Sequence, residues 1–148
     1  MGNLFEPAAA EEIISRLQSL QPDARPRWGK MNAAQMMAHC HAPFETYFSE
    51  KKMKQALIGM LFGRMARKKL FSNKPLPRNL PTSKEFIIPD QKDFASERER
   101  LVEMINRFST EGYTVPAQVH PFFGKMSAQE WALLAYKHMD HHLQQFGV

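Results

Sequence analysis

Apolar residues recur at helical spacing in five segments of this chain, and the alternation typical of strands is nearly absent. The first segment carries its stripe over residues 13–20 and stops at Pro22. The other predicted helices cover residues 32–48, about 53–71, 94–108 with a stop near Gly112, and 127–146. A single short strand candidate remains, Glu85-Phe86-Ile87-Ile88. The pattern therefore predicts an all-α fold.

The segment between the third and fourth predicted helices is rich in proline. Residues 73–90 contain Pro75, Pro77, Pro81 and Pro89, a density that excludes a helix and predicts an extended loop over the surface. A chain of 148 residues suits one domain, which we place over residues 1–148. The economical architecture is an antiparallel four-helix bundle with a short accessory helix and this proline-rich loop.

The composition excludes several classes of protein. Hydrophobic residues make up 43% and charged residues 24%, so the chain is not disordered. A net charge of +5 is too small to indicate nucleic acid or membrane as a partner. The single cysteine, Cys40, allows no intramolecular disulfide and fits a reducing compartment. No apolar run reaches about 18 residues, so we expect a soluble cytoplasmic domain.

Two helix entries resemble one another. Gly29-Lys30-Met31-Asn32-Ala33 and Gly124-Lys125-Met126-Ser127-Ala128 share their spacing, and Asn32 and Ser127 are good N-caps. Gln35 and Glu130 follow them by three residues and complete two predicted capping boxes. The two caps give a common origin from which the phase of the histidines can be measured.

The helical phase places three histidines on inward faces. His39 follows its cap by seven residues, whereas His138 and His142 follow theirs by eleven and fifteen. At about 100° per residue these positions lie at roughly −20°, +20° and +60°, inside the apolar stripe. Two histidines at i and i+4 with a third from another helix are how a bundle builds a metal site. The pattern predicts a site for Zn²⁺, Ni²⁺ or Fe²⁺.

Other residues of this region leave alternatives open. His141 forms an i, i+3 pair with His138 and is the substitute ligand if His142 is not one. The histidine-rich end of the helix could instead be a solvated last turn. No general base is evident: Asp140 lies at about 220° on the same count, away from the ligand face. His120 is expected to be a loop histidine, with a role as acid/base or as a partner of the ligands as the alternative. Cys40 is expected to be a small buried core residue.

The third predicted helix combines basic and apolar residues. Its cations are Lys51, Lys52, Lys54, Arg64, Arg67, Lys68 and Lys69, interleaved with Leu57, Ile58, Met60, Leu61 and Phe62. Such a helix could lie on an anionic membrane or bind nucleic acid. We favour a solvated basic face whose apolar side packs on the bundle, and expect neither membrane nor nucleic acid as a partner. A homodimer is compatible with the many Phe and Met residues.

Several motifs together resemble the DinB/YfiT-like superfamily of candidate metalloenzymes. They are Gln35-Met36-Met37-Ala38-His39, the entries Trp28-Gly29-Lys30-Met31 and His120-Pro121-Phe122-Phe123-Gly124-Lys125-Met126, and the run Lys137-His138-Met139-Asp140-His141-His142-Leu143-Gln144-Gln145-Phe146-Gly147. The resemblance covers essentially the whole chain. It implies a four-helix bundle in which His39, His138 and His142 bind a divalent metal, usually zinc or nickel.

The resemblance also implies a choice of activities, since relatives include hydrolases and transferases or isomerases that use low-molecular-weight thiols. The first functional prediction is a metal-dependent enzyme that transfers such a thiol to a small-molecule substrate. The alternatives are a metal-dependent hydrolase and a metal-free helical interaction module with structural histidines.

Overall fold

The computed structural model describes residues 2–49, 54–72, 74–78, 80, 82, 84–116 and 119–148. Within them the fold is mainly helical, as predicted, with one small hairpin. The helices are α1 (Pro7–Ser19), α2 (Ala33–Phe48), α3 (Leu57–Leu70), α4 (Phe94–Glu111) and α5 (Ala128–Phe146); the strands are β1 (Val119–His120) and β2 (Gly124–Lys125), and 3-10 turns cover Lys84–Phe86 and Gly112–Thr114. None of the helices in these ranges is long and apolar enough to cross a membrane.

The core lies where four of the helices meet. Helix α2 packs on α4 and α5, and α1 packs on the same two helices. Of the predicted stripe of α4, Leu101, Ile105 and Phe108 are fully buried, whereas Phe94 is partly buried. The stripe meets buried side chains of the other helices, among them Ile13, Leu17, Met36, Tyr47, Met139 and Leu143.

Both predicted capping boxes are present. The Asn32 side chain accepts from the Gln35 amide nitrogen at 2.8 Å, and the Gln35 side chain accepts from the Asn32 amide nitrogen at 3.1 Å. Ser127 and Glu130 make the same reciprocal pair at the start of α5. The two sequence-related entries are also alike in backbone conformation, because Gly29 and Gly124 both have positive φ angles of 80° and 76°. Each cap therefore fixes the start, and hence the phase, of a histidine-bearing helix.

The strand prediction is wrong in its location. Residues 84–86 form a 3-10 turn rather than a strand, and no strand among the described residues pairs with this segment. The strands lie at the entry to α5, where Val119 pairs with Lys125 and His120 pairs with Gly124. This hairpin depends on the tight turn that ends at Gly124 and not on β propensity, so the hydrophobic pattern of the sequence did not predict it.

The proline-rich loop is held over α2 and α5, as far as the structure describes it; Asn73 and Pro81 lie outside the described residues. The buried ammonium of Lys137 donates to the carbonyls of Leu70 at 2.6 Å, Ser72 at 2.6 Å and Lys74 at 3.1 Å. These bonds attach the end of α3 and the start of the loop to α5.

Helix α3 packs differently from the prediction. Its predicted start lies outside the described residues, as do Lys51 and Lys52, and the observed helix begins at Leu57. Glycines 59 and 63 form the packed face, since a Cβ on either would overlap the carbonyl oxygen of Phe122. The apolar side chains consequently point outward, with exposures of 51–77% for Leu57, Ile58, Met60, Leu61 and Phe62. Close approach of the glycines to backbone, rather than burial of the apolar side, positions this helix.

Candidate functional site

Three imidazoles from two helices converge in the interior. His39 lies on α2, and His138 and His142 lie one turn apart on α5. The Nε2 atom of His138 is 3.0 Å from Nε2 of His39 and 3.2 Å from Nε2 of His142. One ring nitrogen from each residue lies within 4.8 Å of the others, so the three could hold a metal ion. These are the three residues selected from helical phase.

The outer ring nitrogens of two of these histidines are fixed by acceptors. His39 Nδ1 lies 2.8 Å from the carbonyl oxygen of Phe86. His142 Nδ1 lies 2.8 Å from Oε1 of Gln145, whose Nε2 donates to the Trp28 carbonyl at 2.5 Å and so fixes the orientation of the amide. Because these acceptors require N–H donors, each Nδ1 carries the proton and each Nε2 presents a lone pair to the centre.

This donor set fits a divalent cation. The Nε2 lone pairs of His39 and His142 both face Nε2 of His138. This Nε2 carries at most one proton, so it can donate to only one of the two lone pairs. A tetrahedral ion with Zn–N bonds of about 2.0–2.1 Å separates its nitrogen ligands by about 3.3 Å, close to the two separations measured from Nε2 of His138, while the third pair of ligand atoms lies within 4.8 Å. An ion would satisfy all three nitrogens, whereas neutral imidazoles alone leave lone pairs opposed.

Burial keeps the three imidazoles unprotonated. Desolvation lowers the pKa of His39, lowers that of His142 to about 3, and holds that of His138 well below its usual value. The neighbouring histidines lower the pKa values of His138 and His142 further. At neutral pH the site therefore presents three neutral ligands, and protons do not compete for them.

Two other histidines on these helices lie outside the cluster, although His141 lines the same cavity. His141 packs against the Trp28 ring at 5.5 Å between centroids, and it is not part of the three-residue cluster found among the described residues. His41 is buried toward α4, with Nδ1 3.4 Å from a carboxylate oxygen of Glu45. Neither replaces His142 in the geometry.

The nearby carboxylates and the cysteine are not part of the three-histidine cluster, although Cys40 lines the same cavity. Asp140 pairs with Arg16 at 2.9 Å, and Glu130 caps α5 and pairs with Arg67. Cys40 is buried beside Met36, and burial raises the pKa of its thiol, so the thiol is not a nucleophile at neutral pH.

The three histidines line a cavity of about 900 Å³ between α2, α3, α5, the hairpin and the loop. Its walls are largely apolar, and the aromatic ones are Trp28, Phe44, Phe86, Phe122, Phe123 and Trp131. A cavity of this size, with a few convergent polar groups, suits a small organic molecule.

His120 has a larger part in this cavity than the expected loop histidine. It is only 8% exposed, packs between Phe123 and Trp131, and lines the cavity wall. Its Nδ1 accepts from the amide nitrogens of Phe122 and Phe123 at 3.0 and 3.2 Å. The proton is therefore on Nε2, which is a fixed neutral donor. The turn that places it could not be recognised from the sequence.

We expect Gln145→Leu to weaken zinc binding by about 10–100-fold, since it removes the acceptor that orients His142. The matched control is Gln144→Leu, whose exposed amide bonds only Asp140 and should leave affinity unchanged. The measurement is a competition titration with a chromophoric chelator, with circular dichroism to check folding. Equal affinities for the two variants would contradict the orienting role.

We expect the free energy of unfolding of the His120→Asn variant to fall less steeply than that of the wild type as the pH is lowered. Burial lowers the pKa of His120 to about 4, so between pH 6.5 and 4 the unfolded state binds more protons than the folded state. Stability is lost as pH falls through this window, by about 2–3 kcal/mol from this residue. Asparagine keeps an acceptor for the two amides but does not titrate.

The measurement is urea unfolding of both proteins in chelator at pH 7, 6, 5 and 4. If the free energies of unfolding of the wild type and the variant change in parallel with pH, His120 does not titrate as its burial requires.

The comparisons with known proteins identify a family but no function. Residues 5–147 match the family described as a protein of unknown function, DUF1569. No curated protein and no solved structure gives a significant match. Since the match spans nearly the whole chain, this protein belongs to the DUF1569 family.

Proposed function

We propose that this chain is a divalent-metal-dependent enzyme in which His39, His138 and His142 bind zinc or nickel, with iron as the third choice. The observation that supports this most is the convergence of their Nε2 atoms while two Nδ1 atoms donate outward. Opposed lone pairs of this kind would destabilise a hydrophobic core, because each unsatisfied buried polar group costs about 1–3 kcal/mol of folding free energy.

The proposed architecture is an antiparallel four-helix bundle of the DinB/YfiT-like kind. Its support is the pairwise packing of α1 and α2 on both α4 and α5, with α3 as the accessory helix. In such a bundle, ligands from facing helices meet in the interior, as His39 from α2 meets the pair from α5.

The residues around the site have distinct chemical roles in this proposal. Three imidazoles hold the ion, and the apolar walls limit water around a bound substrate. The Nε2–H of His120 can donate a hydrogen bond to a substrate oxygen. When bound, the ion supplies Lewis-acid chemistry that polarises an electrophile or lowers the pKa of a water or thiol.

Thiol transfer is the reaction we propose first. The described residues that line the cavity include no Asp or Glu, so no carboxylate is placed there as a general base. A low-molecular-weight thiol has a lower intrinsic pKa than water and needs less help to form a nucleophile. Because Cys40 is buried, that thiol must be a co-substrate. Hydrolysis is the second candidate, since a bound ion could equally lower the pKa of a water molecule.

We expect protein purified without a histidine tag to contain about one zinc, nickel or iron ion per chain. His39→Ala and His142→Ala should each lose the ion, because two imidazoles bind far more weakly than three. His41→Ala is the matched control on α2 and should retain it. Elemental analysis of the folded proteins measures the result.

Metal-free protein, even after incubation with each ion, would contradict the proposal. The histidines would then be structural, and the chain a helical interaction module.

We expect the metal-loaded protein to consume a low-molecular-weight thiol in the presence of a small electrophile. A chelator should abolish this activity, and added metal should restore it in the wild type but not in His142→Ala. The assay follows free thiol colorimetrically beside a panel of ester, amide and phosphoester substrates. Chelator-sensitive hydrolysis without thiol consumption would favour the second candidate instead.

A further inference from the structure

The cavity that contains the three histidines has an uneven distribution of charge. Four lysines line it, Lys30, Lys68, Lys69 and Lys74, and the described lining residues include no acidic side chain. Asp140 borders a neighbouring groove instead, where Arg16 neutralises it. A ligand in the cavity therefore meets cationic groups that have no carboxylate partner within its walls.

The positive charge also belongs to one segment of the chain. Residues 54–72 contain five Lys and Arg and no Asp or Glu. The formal charge of this segment, +5, therefore equals the net charge of the whole protein. The remaining residues are balanced. Helix α3 forms one wall of the cavity through Met65, Ala66 and Leu70, with Lys68 and Lys69 beside them. Two of the five cations of this segment, Lys68 and Lys69, therefore line the cavity.

Three backbone carbonyls close to these lysines in the sequence are already used as hydrogen-bond acceptors. The carbonyls of Leu70, Ser72 and Lys74 all accept from the buried ammonium of Lys137. That bonding uses acceptors that lysines could otherwise contact, and it fixes a further cation, Lys137, which lines the neighbouring groove. Among the described residues, the cavity lining therefore carries formal positive charge from four lysines and no formal negative charge, beside uncharged aromatic side chains.

We infer that the cavity binds an organic anion with an apolar or aromatic body, its carboxylate, phosphate or sulfonate group at the lysines and its body against the aromatic walls. This inference names the substrate class of the proposed metal site and rests on that function. Apolar burial would provide the affinity, and the lysines would determine the orientation. The end of the ligand opposite its anionic group then faces the three histidines.

A pair of fluorescent probes with similar ring systems tests the charge preference. 1-Anilinonaphthalene-8-sulfonate is an apolar anion, and N-phenyl-1-naphthylamine lacks the sulfonate. Both tryptophans, Trp28 and Trp131, line the cavity, so quenching of their fluorescence reports occupancy. The titrations use the full chain, once loaded with zinc and once in chelator, and the zinc content of each sample is measured.

Paired charge variants give the sharper comparison. We expect Lys68→Gln with Lys69→Gln to weaken binding of the sulfonate by about five- to tenfold and to leave binding of the neutral probe unchanged. Lys84→Gln with Lys92→Gln removes the same charge away from the cavity and should change neither. Leu57→Gln with Leu61→Gln, on the exposed face of α3, should leave the quenching intact.

The outcomes separate this inference from the proposed function. Equal affinity for both probes, equal effects of the two lysine pairs, or loss of quenching in the leucine variant would each overturn the organic-anion assignment. A preference for the sulfonate probe that persists in the wild type and the control variants, and is lost when the cavity lysines are replaced, would support it. The metal content is an independent readout: failure to bind zinc, nickel or iron refutes the metal site, whichever probe binds better.

Discussion

The site depends on hydrogen bonds that turn two imidazoles the same way. Phe86 and Gln145 each accept from a Nδ1–H group, and the Nε2 lone pairs of His39 and His142 are thereby directed at His138. The rest of the fold maintains this arrangement. Gly29 leaves room for Gln145 because it has no side chain: a Cβ there would lie 2.6 Å from the amide nitrogen of Gln145. The Gln35 amide donates to the loop carbonyl of Ile88 at 3.2 Å, close to the loop residue that supplies the acceptor for His39.

Much of this could be predicted from the sequence because it depends on local rules. The caps at Asn32 and Ser127 fix where two helices begin, and a constant turn per residue then fixes the direction of His39, His138 and His142. The same count directs Asp140 away from the centre, and the structure pairs it with Arg16. The DinB-like bundle, the ligand roles of the histidines and the reaction stay predictions.

What the sequence did not reveal depends on contacts between distant segments. The Phe86 carbonyl is a backbone atom of a loop, and no residue type marks it as the acceptor for His39. His120 acquires its fixed Nε2–H from a three-residue turn that strand propensity does not detect. Helix α3 has a clear apolar pattern, yet Gly59 and Gly63 determine its packing because the Phe122 backbone approaches them. Hydrophobic periodicity therefore identified this helix but misplaced its buried face.

The most direct test of the three-histidine centre is X-ray absorption at the zinc edge of protein loaded with one equivalent and dialysed. Our account predicts a first shell of nitrogen and oxygen at about 2.0–2.1 Å with outer-shell scattering from three imidazoles. It predicts no sulfur, because Cys40 lies in the core beside Met36. A sulfur ligand at about 2.3 Å, fewer than three imidazoles, or no zinc retained after dialysis would contradict it.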